Sequence, residues 1–274
     1  MNTKKTLVLT GCASGIGRHL TGVLVKQGHR VVATDVNLGV LEKSAKDDAW
    51  DANNVKITRL DVRESADWES ALDLATKEFG DLDVVMNVAG VLKPGWVHDV
   101  TAEDVDFHLD INVKGTVLGT RAAANRFMKL GRGHIVNIGS LASLAAAPGI
   151  GLYVASKFAV RGFTLAAATE LARHGIAVTL VMPDAVQTPM LDLQVHYEEA
   201  AMTFSGPRAL TVEDIEKAIL EEVLPKRPLE VVLPLSRGLL ARAANAAPAL
   251  ARRIEPMLTK KGRAQQEKIK RGGR

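Results

Sequence analysis

The stretch TLVLTGCASGIGR, residues 6–18, decides how the rest of the chain is interpreted. A short apolar run leads into a segment in which Gly11, Gly15 and Gly17 precede a helical pattern. Glycines at such a turn let a pyrophosphate approach the free N–H groups at the N-terminus of the following helix. A position between a strand and a helix distinguishes a dinucleotide loop from an ordinary tight turn. We therefore predict a nucleotide-binding loop here.

The same stretch also has features of a lipoprotein export signal, with Lys4 and Lys5 before the apolar run and Cys12 after it. Such a signal needs an apolar region of about 7–15 residues. Only residues 6–9 separate Lys5 from the segment that ends in Cys12, so this interpretation fails. Cys12 is the single cysteine, which excludes an intramolecular disulfide and suits a reducing compartment. We expect a cytoplasmic protein.

Composition and charge describe a globular chain with a basic end. The 274 residues are 47% hydrophobic and 24% charged, as is ordinary for a protein with a sizeable core. Residues 236–274 hold eleven Lys or Arg against two Asp or Glu, a net charge of +9. Since the whole chain carries +4, residues 1–235 carry −5. An acidic body, with no aromatic residues interleaved among the basic ones, argues against a nucleic-acid binder.

Apolar strands alternate with amphipathic helices along residues 1–235. We predict strands at 5–10, 30–34, 55–60, 82–86, 134–138, 176–181 and 230–233, and helices at 15–28, 38–46, 65–79, 101–130, 151–174 and 211–224. This alternation is typical of an α/β protein with a doubly wound parallel sheet covered by helices on both faces. Ligands of such sheets bind beyond the carboxyl ends of the strands.

Asp35 stands at the end of the second predicted strand. A carboxylate there can accept hydrogen bonds from both hydroxyls of an adenosine ribose and would repel a 2′-phosphate. Neither Val36 nor Asn37 supplies a positive charge, so the pattern favours NAD over NADP. A cap for the helix from Leu38 onward is the other interpretation, and the two roles are compatible.

Tyr153 and Lys157 lie four residues apart near the start of a predicted helix and so share one face. Reduction of a ketone needs a proton donor beside the oxygen, and a tyrosine, with a pKa of about 10, is a weak one. A nearby ammonium and the positive nicotinamide would lower that pKa. Ser140 could hold the substrate oxygen. Asn112 could hold a chain of water molecules that links Lys157 to solvent. By itself the Tyr–Lys spacing is common on helix surfaces.

Taken together, these residues resemble the short-chain dehydrogenase/reductase family. The resemblance rests on TGCASGIG at 10–17, Asp61 after Leu60, NVAG at 87–90, Asn112, Ser140, YVASK at 153–157 and PDAVQT at 183–188. It implies a single Rossmann-type sheet and a catalytic tetrad of Asn112, Ser140, Tyr153 and Lys157, with Tyr153 as acid/base. It also implies an oligomer, a homodimer or homotetramer, built on the helices around Asn112 and Tyr153.

The resemblance also implies a set of cofactor contacts. Asp61 would lie near the adenine, residues 87–90 beside its ribose, Lys157 on the nicotinamide ribose and Thr188 on the carboxamide. The full set is Gly11, Ser14, Gly15, Ile16, Gly17, Asp35, Asp61, Val62, Asn87, Ala89, Gly90, Tyr153, Lys157, Pro183, Val186 and Thr188. No metal site is expected, because no histidine has a companion at ligand spacing.

Two positions depart from the family pattern. Val88 replaces a frequent second asparagine, which we expect to be harmless. Asp184 replaces the usual glycine after Pro183 and places a carboxylate near the nicotinamide pocket. Our hypothesis is that Asp184 shapes or polarises the substrate entrance.

Residues 1–235 are predicted to form the catalytic domain, with a substrate lid at about 189–210. The lid holds Met190, Leu191, Leu193, Val195, Tyr197, Met202 and Phe204. No arginine that could bind a substrate carboxylate lies between Leu141 and Phe158. These apolar side chains therefore favour a lipophilic secondary alcohol or ketone: a steroid, retinoid, long-chain or aromatic carbonyl. Alternatively, these side chains only pack the lid. A reductase of 3-oxoacyl thioesters and a catalytically silent dinucleotide sensor are the other functions considered.

Residues 236–274 are predicted to form a basic helical extension. Apolar residues recur at helical spacing among arginines, a pattern found in helices that lie on anionic membranes. Peripheral membrane contact through residues 236–258, docking on a subunit and a solvated helix all fit the pattern. Pro248 is expected to kink the helix, and the chain from Lys260 onward is expected to be disordered.

Overall fold

The computed structural model describes residues 4–272. Its strands are β1 (Thr6–Leu9), β2 (Arg30–Asp35), β3 (Val55–Arg59), β4 (Val84–Asn87), β5 (Gly133–Ile138), β6 (Ile176–Pro183) and β7 (Glu230–Leu233). All pair in parallel, in the order β3-β2-β1-β4-β5-β6-β7. The order reverses between β1 and β4, so the predicted doubly wound sheet is confirmed. The crevice at this reversal is where such sheets bind ligands.

Helices cover both faces of the sheet. They are α1 (Gly15–Lys26), α2 (Leu38–Asp47), α3 (Ser65–Phe79), α4 (Ala102–His108), α5 (Gly115–Leu130), α6 (Gly151–Ala172), α7 (Pro189–Gln194), α8 (Val212–Ala218), α9 (Leu224–Lys226), α10 (Leu235–Ala246) and α11 (Pro248–Lys270). Successive residues of a strand point to opposite faces. Leu7 therefore packs in the same core cluster as Leu20 of α1, while Val8 packs with Trp68 of α3 and Phe127 of α5.

The long helix predicted from Thr101 to Leu130 is present, with one irregular turn. The Thr101 hydroxyl accepts a hydrogen bond from Asp104 N, and the Asp104 carboxylate accepts one from Thr101 N, so the expected capping box forms. Residues 109–114, between α4 and α5, are π-helical, and Asn112 lies in this turn. Such turns occur often at functional sites.

The expectation of disorder from Lys260 onward is wrong for the described residues, because α11 continues to Lys270; residues 273 and 274 lie outside the described range. The helix is held by side chains that composition does not reveal. Gln266 is 1% exposed and donates to the carbonyls of Gln194 and Tyr197, at 3.1 and 2.9 Å. A Cβ at Gly262 would lie 1.9 Å from the Ala201 carbonyl oxygen, so α11 approaches the backbone after α7 closely.

Pro248 stands at the first position of α11, where a proline needs no N–H partner, and it separates α11 from α10. Within residues 4–272 the structure contains no helix that combines the length and the apolar character needed to cross a bilayer.

Candidate active site

The glycines of the loop after β1 occupy positions where a side chain would clash or strain the backbone. Gly11 has φ +70° and Gly15 has φ +55°, values that side chains disfavour. A Cβ at Gly17 would lie 2.3 Å from the Gly11 carbonyl oxygen, and one at Gly11 would lie 2.9 Å from Ala89 Cα. Helix α1 begins at Gly15, and the Ser14 side chain makes no capping bond. The first N–H groups of α1 are thus left facing an open loop, a cradle suited to an anion.

Asp35 is held in one orientation by the backbone. One carboxylate oxygen accepts from Ala13 N and the other from Asn37 N, both at 3.0 Å. The cap of α2 is Asn37, whose side chain accepts from Val40 N, so the capping role considered for Asp35 belongs to its neighbour. Asp35 lines the cavity beside the glycine loop.

Asp61 forms a two-pronged ion pair that the sequence did not indicate. Arg63 Nε and Nη2 lie 2.9 and 2.6 Å from its two oxygens, and Arg63 N also donates to Asp61, at 3.1 Å. The Arg63 hydrogen bonds lower the pKa of Asp61 to about 2, so the carboxylate stays charged. Both residues line the cavity.

Tyr153 and Lys157 are buried together on α6. Lys157 Nζ lies 5.6 Å from the centre of the Tyr153 ring and donates to the Ile138 carbonyl at 2.9 Å. Burial lowers the pKa of Lys157 to about 8. Burial also raises the pKa of Tyr153, and a hydrogen bond with Ser140 opposes that rise in part. The lowering expected for the Tyr153 pKa is therefore outweighed within the protein itself by the loss of water.

Ser140 follows β5 and caps a short 3₁₀ turn, Leu141–Ser143. Its Oγ accepts from Ala142 N at 3.1 Å, and its own N–H donates to Ser143 Oγ. These bonds fix the hydroxyl at the carboxyl end of the sheet, within hydrogen-bonding reach of Tyr153.

Asn112 is 1% exposed and joins two elements instead of facing the cavity. Its side chain exchanges hydrogen bonds with the backbone of Val91, at 2.8 and 2.9 Å, and donates to Ser156 Oγ at 3.0 Å. Asn87 also points inward, where its amide donates to Asn137. The structure places neither side chain on the cavity wall, and the predicted roles of Asn112 and Asn87 stay predictions.

The other predicted site residues surround one continuous cavity of about 620 Å³. They are Gly11, Ser14, Gly15, Ile16, Gly17, Asp35, Asp61, Val62, Ala89, Gly90, Ser140, Tyr153, Lys157, Pro183, Val186 and Thr188. Most come from the ends of β1 to β6 and the loops that follow, and the others lie near the starts of α1 and α6, so the fold brings together residues far apart in sequence.

The structure adds cavity residues that sequence reasoning missed. Arg237, Leu240, Ala241 and Ala244 of α10 and Leu258 of α11 also line the cavity. Asp184 does not stand free at the entrance, because its Oδ2 accepts from Arg237 Nε at 2.8 Å. The unusual acid at position 184 was evident from the sequence. Its partner, Arg237, could not be identified there because it lies 53 residues further along the chain.

Comparison with known proteins agrees with this geometry. The family model described as short chain dehydrogenase matches residues 5–198. The chain belongs to the short-chain dehydrogenase family. As a member of this family it is an oxidoreductase, and members of the family use nicotinamide cofactors and act on small-molecule alcohols and ketones.

Two relatives of this short-chain dehydrogenase have named substrates. It is 37% identical over 189 residues to a 3-alpha-(or 20-beta)-hydroxysteroid dehydrogenase of Mycobacterium tuberculosis, covering 69% of this chain and 71% of the relative. It is 33% identical over 220 residues to a cyclopentanol dehydrogenase of Comamonas testosteroni, covering 79% and 88%.

Solved structures share the fold. A short chain dehydrogenase/reductase from Burkholderia phymatum in complex with NAD superposes with a TM-score of 0.80 at 24% identity, covering 92% of this chain and 96% of that one. ElxO with NADP bound gives 0.75 at 26% identity, covering 84% and 98%. The two structures contain different nicotinamide cofactors.

Proposed function

We propose that this protein is an NAD-dependent dehydrogenase that interconverts a lipophilic secondary alcohol and its ketone, with Tyr153 as acid/base. The observation that carries the proposal is the joint burial of Tyr153 and Lys157, beside the half-buried Ser140, in the cavity that also holds the glycine cradle. Burial of a phenol and an ammonium side by side is costly, and the proposed chemistry gives a reason for it.

The glycine loop fits a nicotinamide cofactor. Its pyrophosphate would lie where a side chain at Gly11, Gly15 or Gly17 would clash or be strained, at the N-terminus of α1. Bound NAD supplies a hydride acceptor and a positive charge. Lys157 and Thr188 would hold the nicotinamide end. Asp61, already charged and paired with Arg63, would lie at the adenine end.

The protein's own residues handle the proton. The Ser140 hydroxyl would hold the alcohol oxygen, and Tyr153 would take its proton as the hydride leaves. The Lys157 ammonium favours the phenolate form by its charge, which opposes the effect of burial on the Tyr153 pKa. We further propose that Asn112 fixes α6 against the Val91 segment, in addition to its predicted contact with a water chain.

Asp35 supports the choice of NAD. Two backbone N–H groups fix its carboxylate at the cavity wall, so it cannot swing away from an incoming 2′-phosphate at no cost. The same feature weakens the alternative of a 3-oxoacyl-thioester reductase, since biosynthetic reductions usually resemble the NADP pattern. A silent dinucleotide sensor would not need the buried Tyr153 and Lys157.

Apolar side chains dominate the part of the cavity beyond Tyr153, and this supports a lipophilic substrate. They include Leu92, Leu141, Ile150, Met190, Leu191 and Met202. The relatives named for a hydroxysteroid and for cyclopentanol act on neutral, largely apolar alcohols of different size. A homodimer or homotetramer stays a prediction.

Membrane contact through the extension is part of the proposal. Leu235, Leu239, Leu250, Ile254 and Met257 are 40–65% exposed. The exposed Arg242, Arg252 and Arg253 stand among them in sequence. Such a surface fits an anionic bilayer, from which a lipophilic substrate could enter. Replacing Leu239, Leu250 and Ile254 by Gln should abolish pelleting with phosphatidylserine vesicles. Equal pelleting of the wild type and the triple variant, or none by the wild type, would refute this contact.

The test of the enzyme is NADH formation at 340 nm with a panel of neutral secondary alcohols, with NAD and NADP compared. We expect turnover with NAD and a loss of about 10²-fold or more in Tyr153→Phe. Cofactor binding, followed by NADH fluorescence, should be kept in the variant. Unchanged turnover in Tyr153→Phe would contradict the assigned role.

A further inference from the structure

The C-terminal extension closes one side of the cavity. Arg237, Leu240, Ala241 and Ala244 of α10 and Leu258 of α11 line the same cavity as Tyr153. All lie outside residues 5–198, which the family model matches. This wall is thus built by a part of the chain that the shared family pattern does not include.

An ion pair fastens α10 to the loop after β6. Arg237 Nε lies 2.8 Å from Asp184 Oδ2, and Arg237 Nη2 reaches Ser205 Oγ at 3.5 Å. The other Asp184 oxygen accepts from Ala185 N at 3.0 Å. The two side chains are only 13% and 20% exposed. The Asp184–Arg237 pair therefore connects the strand end with α10, and through Arg237 it also reaches the end of the segment after α7.

Close packing sets the position of α10 along its length. A Cβ at Gly238 would lie 2.2 Å from Val232 Cγ1, so α10 lies directly against β7. Ala241 is 9% exposed and packs in one cluster with Leu141, Val160 and Met182. Because Arg237 is neutralised by Asp184, this wall offers an apolar surface with no unpaired cation to attract an anionic substrate.

We propose that the residues of α10 that face the cavity, together with Leu258, determine substrate specificity, and that Asp184 and Arg237 are positioning residues that hold this wall. The wall selects a neutral apolar group on the far side of the reacting carbon and limits its size. This inference rests on the proposed dehydrogenase function.

The role of the wall is tested by a substitution that narrows the cavity. Ala244→Phe adds a ring to a residue that lines the cavity, and Ala243→Phe adds the same ring to its exposed neighbour. With cyclopentanol and a hydroxysteroid as small and large probes, Ala244→Phe should lower kcat/KM for the steroid by about tenfold or more relative to cyclopentanol. Ala243→Phe should keep the wild-type ratio.

The ion pair is tested on the same helix. Arg237→Gln removes the bond to Asp184, whereas Arg242→Gln removes an exposed bond from α10 to Glu230. Arg237→Gln and Asp184→Asn should each raise KM for the steroid with little change in kcat for cyclopentanol, and the double variant should add little further. Arg242→Gln should leave both values as in the wild type. Independent, additive effects of the two single variants would overturn the positioning role.

Binding separates this inference from the proposed function. Equilibrium dialysis of radiolabelled hydroxysteroid, with NADH present, measures how the wall affects steroid binding in the absence of turnover. If wild type binds the steroid and Ala244→Phe binds it about tenfold more weakly, the specificity role of the wall is supported even if no alcohol is oxidised. Equal binding by Ala244→Phe and wild type, or no binding by wild type, would overturn the wall, whereas turnover of cyclopentanol would still support the dehydrogenase.

Discussion

Burial acts on Lys157 and Tyr153 in opposite directions at the residue scale. It lowers the pKa of Lys157 to about 8 and raises that of Tyr153, so both groups are pushed toward their neutral forms. An enzyme that places them together loses some stability for this arrangement. In the proposed function, the arrangement is useful for catalysis, because an acid/base group must be able to change its charge near neutral pH.

This environment makes a prediction about stability and pH. Between pH 8 and about 10, the unfolded chain binds a proton at Lys157 that the folded protein does not. The burial penalty is therefore fully present below pH 8 and disappears as pH rises. Lys157→Met lacks this penalty, so its free energy of unfolding relative to wild type should fall by up to about 3 kcal/mol from pH 7 to pH 10.

Urea unfolding at several pH values checks this prediction. The lost hydrogen bond to the Ile138 carbonyl adds a cost that does not change with pH. The matched control is Lys129→Met, at an exposed position in the last turn of α5. A constant difference between Lys157→Met and wild type across this range would contradict the burial argument.

Single residues were predictable from the sequence where a local motif defined them. The glycines, Asp35, Ser140 and the Tyr153–Lys157 pair all reach one cavity. The Arg63–Asp61 and Arg237–Asp184 pairs were not predicted, since any exposed arginine can reach several carboxylates until the backbone is placed. The burial of Tyr153, which raises its pKa, was also not predicted, because burial cannot be read from residue spacing.

Helix α11 is the element for which composition misled the prediction. Its last part is rich in Lys and Gln and has few apolar residues, a composition typical of disorder. Gly262 and Gln266 nevertheless fit the backbone of the segment after α7, and Ile269 joins a cluster with Leu191 and Phe204. By contrast, the long helix capped at Thr101 carried a local signal and was predicted correctly.

Gln266 provides a test of this docking. Gln266→Leu leaves the carbonyls of Gln194 and Tyr197 without their donor and should cost about 1–3 kcal/mol of unfolding free energy. Hydrogen exchange of residues 189–205 should speed up, because α11 covers this segment. Gln265→Leu, at an exposed position on the same turn, should change neither. Equal exchange in the two variants would show that Gln266 does not hold the segment.

At the scale of the whole molecule, the sheet determines where chemistry can occur. The reversal between β1 and β4 opens the crevice, parallel strands bring Asp35 and Ser140 to the same edge, and helix α6 adds Tyr153. The alternation of strands and helices in the sequence was sufficient to predict this architecture. The alternation could not predict the wall formed by α10, because the wall depends on where this C-terminal helix packs over the cavity.

The most direct test of the central claim follows the hydride itself. Wild type and Tyr153→Phe would be incubated with NAD and a secondary alcohol deuterated at the carbinol carbon, with cyclopentanol and a hydroxysteroid as the first two. Mass spectrometry would then measure the deuterium content of the NADH. We predict one deuterium in each NADH formed by wild type and almost no NADH from the variant. NADH without deuterium, or equal labelled NADH from both proteins, would contradict hydride transfer assisted by Tyr153.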